Sequence, residues 1–149
     1  MNQLFDPVRL KKLALLPEEV VRQKLILQMT LNLGYPKGLI AVEKELESLP
    51  HLEGKKIPLR RADLLVFAKN LHPLYPLYPL LIVECKKDRL SDGALRQALG
   101  YNYYVKAYFV AVAGKDEVRL AFQNQSGKQQ VLDFLPSYAA LVEAVKKPK

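Results

Sequence analysis

The sequence predicts an α/β fold in which a mixed central sheet is flanked by helices. Three observations predict it. Two apolar, β-rich runs, residues 80–86 and 107–113, are separated by a stretch of helical character. That connection is long enough for a crossover, so the two strands are expected side by side and parallel. Amphipathic helical patterns bracket the region at residues 17–33 and 137–146. The expected order is helix, three strands, helix, two strands, helix, which packs as helices on a sheet.

Each element has its own local reason. Residues 1–16 have no sustained period and are expected to be irregular. Pro17 suits a first helical turn, and Glu18 and Glu19 oppose the helix macrodipole there. Val21, Leu25 and Met29 fall four apart, as do Leu27 and Leu31, and Gly34 with Pro36 stops the helix. Residues 39–49 read as a strand, although the charged segment 43–47 also admits a helical continuation. Residues 51–58, around Gly54, are a turn region. Residues 61–68 alternate as a strand, with Leu64, Val66 and Ala68 on one face and Asp63, Leu65 and Phe67 on the other. Leu74-Tyr75-Pro76 repeats as Leu77-Tyr78-Pro79, and proline is foreign to a central strand, so residues 70–79 are expected to form a rigid loop. Ser91 is the expected N-cap of a helix running to about residue 105. Residues 117–123 fold back on 107–113 as a hairpin after Gly114. Ser137 caps the last helix, whose stripe is Tyr138, Leu141, Val142 and Val145. The basic tail, residues 146–149, is expected to fray.

Length and composition narrow the class. The 149 residues, 16.9 kDa, are expected to form one domain, with a core over about 17–125 and a C-terminal helix at about 137–146. Half the residues are hydrophobic and 26% are charged, which argues against disorder. One cysteine excludes an internal disulfide framework and a cysteine-based zinc cluster. No apolar run approaches the roughly 18 residues of a membrane span, and residues 1–16 lack the apolar core of a signal peptide. A soluble protein of a reducing, cytoplasmic compartment, without a membrane partner, is the expectation. The formal net charge is +8 and the pI about 9.5, which suits a phosphate-rich partner as well as plain solubility.

The informative chemistry lies around two strands. Glu84 and Lys86 share one strand face, and Val83 and Cys85 share the other. A carboxylate and an ammonium group at the end of an apolar strand are costly unless paired. Setting Asp63 beside Glu84 across neighbouring strands would concentrate negative charge, which a hard divalent cation relieves. Lys86 would then reach an attacking water or a phosphate. Taken alone, Glu-x-Lys also describes a solvated strand edge. Gln97 and Tyr101 lie four apart on the following helix and share one face.

In this order, Asp63, then Glu84-Cys85-Lys86, then Gln97 and Tyr101 resemble the PD-(D/E)XK nuclease superfamily, in its RecB-like branch with a QxxxY element. Pro17-Glu18-Glu19, Leu33-Gly34-Tyr35-Pro36, Val42-Glu43, Arg61-Ala62-Asp63 and Leu81-Ile82-Val83-Glu84-Cys85-Lys86, followed by 97–102 and Ala113-Gly114, resemble the N-terminal nuclease domain of type I restriction enzyme R subunits. The resemblance covers about 17–125. It implies a restriction-endonuclease-like core and hydrolysis of DNA phosphodiesters with Mg²⁺, for which Mn²⁺ would substitute. It implies metal ligation by Asp63, Glu84 and the backbone carbonyl of Cys85, with a further acid from Glu19 or Glu43. Lys86 would position or activate water, and Gln97 and Tyr101 would bind DNA or organise the site. Glu18 and Glu19 also have the simpler reading of helix-start stabilisation.

Ala62 stands where the superfamily has its proline, which supplies no ligand. No G-x-x-x-x-G-K-[ST] motif occurs: Gly54, Gly114 and Gly127 precede lysine, but Leu49, Phe109 and Phe122 occupy the upstream glycine positions. The expectation is a free-standing nuclease-like domain, alone or beside a separate helicase or DNA-reading subunit. A catalytically silent nucleic-acid-binding or interaction module on the same fold is the alternative. Arg60, Arg61, Lys87 and Arg89 flank the proposed site and would track a phosphate backbone, or else form a solvated edge. Tyr75 and Tyr78 would stack on bases or anchor their loop. His51 and His72 lack metal co-ligands and are expected at the surface, and Cys85 is expected to be a buried, inert thiol.

Overall fold

The structure, a computed structural model, describes residues 3–6, 8–9, 11–14, 16–124 and 126–146. Residues 147–149 of the expected frayed tail lie outside that range. The elements are β1 (Gln3–Asp6), β2 (Lys11–Ala14), α1 (Pro17–Leu31), β3 (Ile40–Glu45), β4 (Arg61–Lys69), β5 (Leu77–Cys85), α2 (Ala94–Val105), β6 (Phe109–Gly114), β7 (Glu117–Gln123), β8 (Gln129–Leu132) and α3 (Tyr138–Lys146). Strands β3 to β8 form one mixed sheet in sequential order, and β5 and β6 are its parallel pair. The expected α/β architecture is therefore observed, with α2 as the crossover.

The alternation along β4 and β5 divides the core in two. Leu64, Val66 and Val83 face Val21, Leu25, Ile26 and Met29 of α1. Leu65 and Ile82 face Ala94, Ala98 and Val105 of α2. The two helices thus cover opposite faces of the sheet. At the end of α1, Gly34 adopts φ +72°, a conformation glycine takes without strain. The Ser137 hydroxyl accepts the Ala140 N–H at 3.1 Å, so the expected cap of α3 is present.

Four expectations are corrected. Residues 3–6 and 11–14 are not irregular; they pair as an antiparallel hairpin, whose turn is fixed by Asp6 Oδ1 accepting the Val8 and Arg9 N–H groups. The β5 strand starts at Leu77, three residues before the expected start at Leu80, and contains Pro79. Pro79 is tolerated because it sits at a register shift against β4 and precedes the start of the β6 ladder at Leu81. The N-cap of α2 is Gly93, without a side-chain bond from Ser91. Leu27 and Leu31 do not join the α1 core stripe; they are exposed. The short edge strand β8 was also unforeseen, because two of its four residues are glutamines.

Candidate active site

The sheet delivers two carboxyl groups to one place. Leu64 lies opposite Val83 in the β4–β5 ladder, and the next step of that register sets Asp63 beside Glu84. Asp63 Oδ2 accepts the Cys85 backbone N–H at 2.8 Å, which pins the aspartate at the strand end. Glu84 is only 6% exposed. Burial, the charge of Asp63 and a hydrogen bond between the two carboxyl groups push Glu84 up to about 8 from an ordinary 4.5. Arg60 and Lys86 pull in the opposite direction and lose.

Glu84 lines a cleft of about 410 Å³ together with Arg60, Lys86, Gln97, Tyr101 and Tyr104. Five residues singled out in the sequence therefore converge: Asp63 and Glu84 with each other, and Lys86, Gln97 and Tyr101 around Glu84. Lys86 is held at the strand end by its N–H, which donates to Ala113 O at 2.8 Å. The Arg60 guanidinium stacks 3.1 Å from the centre of the Tyr101 ring, and its Nη2 lies 3.3 Å from Glu84 Oε1. Sequence spacing pointed to Arg60 as a phosphate contact but not to this bridge between β5 and α2.

Two close, mutually repelling carboxyl groups form a hard oxygen donor pair, which fits Mg²⁺, an ion that keeps several waters and takes one or two carboxylates. Among the described residues no group of three His, Cys, Asp or Glu side chains gathers as a metal cage. An ion here would rest on Asp63 and Glu84, completed by water and backbone oxygen.

The family described as type I restriction enzyme R protein N terminus matches residues 17–136. The chain belongs to this family. No curated protein and no solved structure gives a significant match. The matched span of this R-protein N-terminus relative runs from the first residue of α1 past β8, so it includes every residue of the cleft.

Elsewhere in this family member, Glu19 and Glu43 are drawn into a different constellation. Glu19 accepts two bonds from Arg22, at 2.7 Å each, and one from Arg9 Nη2, also at 2.7 Å. Arg9 Nε also pairs with Asp6 at 2.5 Å, and Gln23 Nε2 donates to Asp6 Oδ2 at 3.0 Å. Burial alone would raise Glu19, but Arg22 and Arg9 hold it below its ordinary range. Glu43 lies within 3.4 Å of both arginines and adopts φ +52°, an uncommon conformation for glutamate. This network sits on the α1 side of the sheet, beside the Cys85 side chain and away from the Glu84 face. Asp6 and Arg9, its N-terminal members, were not singled out, because the hairpin carrying them has no sequence period.

The other basic candidates are scattered. Arg61 is exposed and pairs with Glu45 at 3.5 Å. Lys87 borders a separate cleft of about 730 Å³ between α1 and the β6–β7 turn. Arg89 reaches Glu117 at 3.8 Å. Cys85 is half-buried rather than buried as expected, but its surroundings push its thiol strongly up, in keeping with an inert thiol. His51 does not: it is buried, its Nε2 lies 2.6 Å from Val105 O, and its ring packs against Tyr75 and Tyr78. Tyr78 anchors the same region by donating to Lys106 O at 2.7 Å. No helix among the described residues is long and apolar enough to cross a membrane.

Proposed function

We propose that the protein is a metal-dependent deoxyribonuclease that hydrolyses phosphodiester bonds, with Mg²⁺ held by Asp63 and Glu84. The observation that carries the reading is the meeting of these two carboxyl groups at the end of β4 and β5, where Glu84 lines a cleft together with Lys86, Gln97 and Tyr101. Membership of a restriction-enzyme family supports DNA as the substrate, as does the net charge of +8. When bound, the ion lowers the pKa of water and offsets charge that builds on the phosphate.

The chain's own groups divide the remaining work. The Cys85 N–H keeps Asp63 in place, and burial together with the charge of Asp63 keeps a proton on Glu84. Glu84 releases that proton before it can act as an anionic ligand. Lys86 lies on the same strand face and supplies N–H donors to orient the attacking water or the phosphate. Gln97 and Tyr101 add an amide and a hydroxyl on the helical wall. Arg60 is half-exposed and able to leave Glu84 for a phosphate oxygen, which it can grip with two parallel bonds.

The test is incubation of the protein with linear, nicked and single-stranded DNA in Mg²⁺ or Mn²⁺. Cleavage is expected, with a 10²–10⁴-fold loss, roughly the worth of a positioned proton-handling group, in Lys86→Ala. No cleavage by the parent protein, or equal cleavage by the variant, contradicts the reading. Salt-dependent DNA binding without metal uptake points instead to a silent binding module, which the Arg60–Glu84 pair favours because Arg60 already answers part of the Glu84 charge.

A further inference from the structure

The outer wall of the cleft is aromatic, and the core does not need it. The buried residues of α2 are Ala94, Ala98 and Val105. Tyr104 lines the cleft and is 37% exposed, and Tyr103 is 74% exposed. Their rings meet edge to face with centroids 5.4 Å apart, so they present surfaces at nearly a right angle. Tyr101, one turn earlier, already has Arg60 on its face.

A lysine ends the series. Lys106 Nζ stands 5.9 Å from the centre of the Tyr103 ring. Its backbone is left-handed, at φ +59°, a position where glycine is the relaxed choice. Three contacts hold that strained residue: its N–H donates to Asn102 O, its carbonyl accepts from Tyr78, and the Asn102 side chain brackets the next residue, Ala107, on both backbone atoms. The backbone that carries this cation is thus fixed at the end of an aromatic row that begins at Tyr101.

We propose that Tyr104, Tyr103 and Lys106 form a stacking platform for unpaired bases, so that the cleft receives a single-stranded or frayed DNA strand. The chemistry selects the occupant. Exposed tyrosine faces bind bases by stacking, and cations spaced between them meet the phosphates. Bases inside a duplex stack on one another and cannot offer a face to Tyr103. The proposal rests on the nuclease reading for its substrate class and adds strandedness to it.

The test uses fluorescence anisotropy of labelled DNA with the full chain in the absence of divalent metal. The probes are a 12-nucleotide oligothymidylate and a blunt duplex of the same length. The single strand is expected to bind more tightly. Tyr103→Ala with Tyr104→Ala should weaken it by roughly 10- to 100-fold, while the duplex changes by less than about threefold, in keeping with phosphate contacts alone. Replacing both tyrosines by phenylalanine should restore single-strand affinity. Thermal melts check that the variants fold; if the alanine pair does not, Lys106→Gly replaces it, with a smaller loss for the single strand expected. Preference for the duplex, or single-strand affinity unmoved by the variants, overturns the platform and leaves the nuclease reading standing if metal-dependent cleavage persists. Binding of neither DNA overturns both.

Discussion

Lowering the pH should close the metal site before it harms the fold, and Glu84 sets the range. In the metal-free protein this carboxyl is raised from 4.5 to about 8 by burial and by Asp63. Below that value it carries a proton that an incoming cation must expel. Mn²⁺ affinity should therefore rise about tenfold per pH unit between pH 6 and 8, about 1.4 kcal/mol for each, and level off above. Calorimetric titration in buffers of different ionisation enthalpy reads this directly. It should count close to one proton released per ion at pH 6.5 and almost none at pH 9. Glu84→Gln should abolish both the slope and the release. The same shift acts on stability with the opposite trend. The proton on folded Glu84 stabilises the native state fully below pH 4.5, and that contribution is lost as the pH climbs to about 8. At about 1.4 kcal/mol per pH unit the loss amounts to roughly 5 kcal/mol for this buried group. A flat Mn²⁺ affinity from pH 6 to 8.5, with no proton released, would refute the reasoning.

Three other predictions concern the supports of the site. Glu19→Ala takes from Arg22 and Arg9 their buried shared carboxylate and leaves Arg22 only the half-exposed Glu43 among the described residues; loss of a buried partner costs up to roughly 3–5 kcal/mol, so a thermal melt should drop by up to about 10 °C, and an unchanged melt would show that the network is dispensable. Arg60→Ala removes both the Tyr101 stack and a cation that lowers Glu84; the pH at which Mn²⁺ affinity levels off should move upward, and a downward move would contradict the assigned pairing. Gly114→Ala places a methyl group 2.6 Å from Asp88 O and 2.9 Å from Leu90 Cδ2; this overpacking should cost roughly 1–3 kcal/mol in chemical denaturation, and a neutral result would mean that the loop after β5 yields freely.

The site was more legible in the sequence than its surroundings. Period-two alternation places Glu84 and Lys86 on one face by geometry alone, and the structure keeps that face toward α2. The helical spacing of Gln97 and Tyr101 carries over for the same reason. What failed to show was contact between segments without period. Arg9 reaches Glu19, and Asp6 reaches Gln23, only because the first hairpin folds against α1, and nothing in residues 1–16 signals that pairing. Pro79 misled because the rule against proline in strands lapses at a bulge. His51 looked isolated along the chain, yet Val105 and two tyrosines enclose it from distant positions. Arg60 was visible as a positive charge, whereas its choice of Tyr101 and Glu84 depends on how α2 crosses the sheet.

The most direct measurement of the central claim is anomalous diffraction from a crystal grown in Mn²⁺ at pH 8.5. A peak between Asp63 and Glu84, within coordination distance of both carboxylates and with Arg60 displaced from Glu84 Oε1, is the predicted result. A clean map at saturating Mn²⁺, with Arg60 still seated on Glu84, would contradict it.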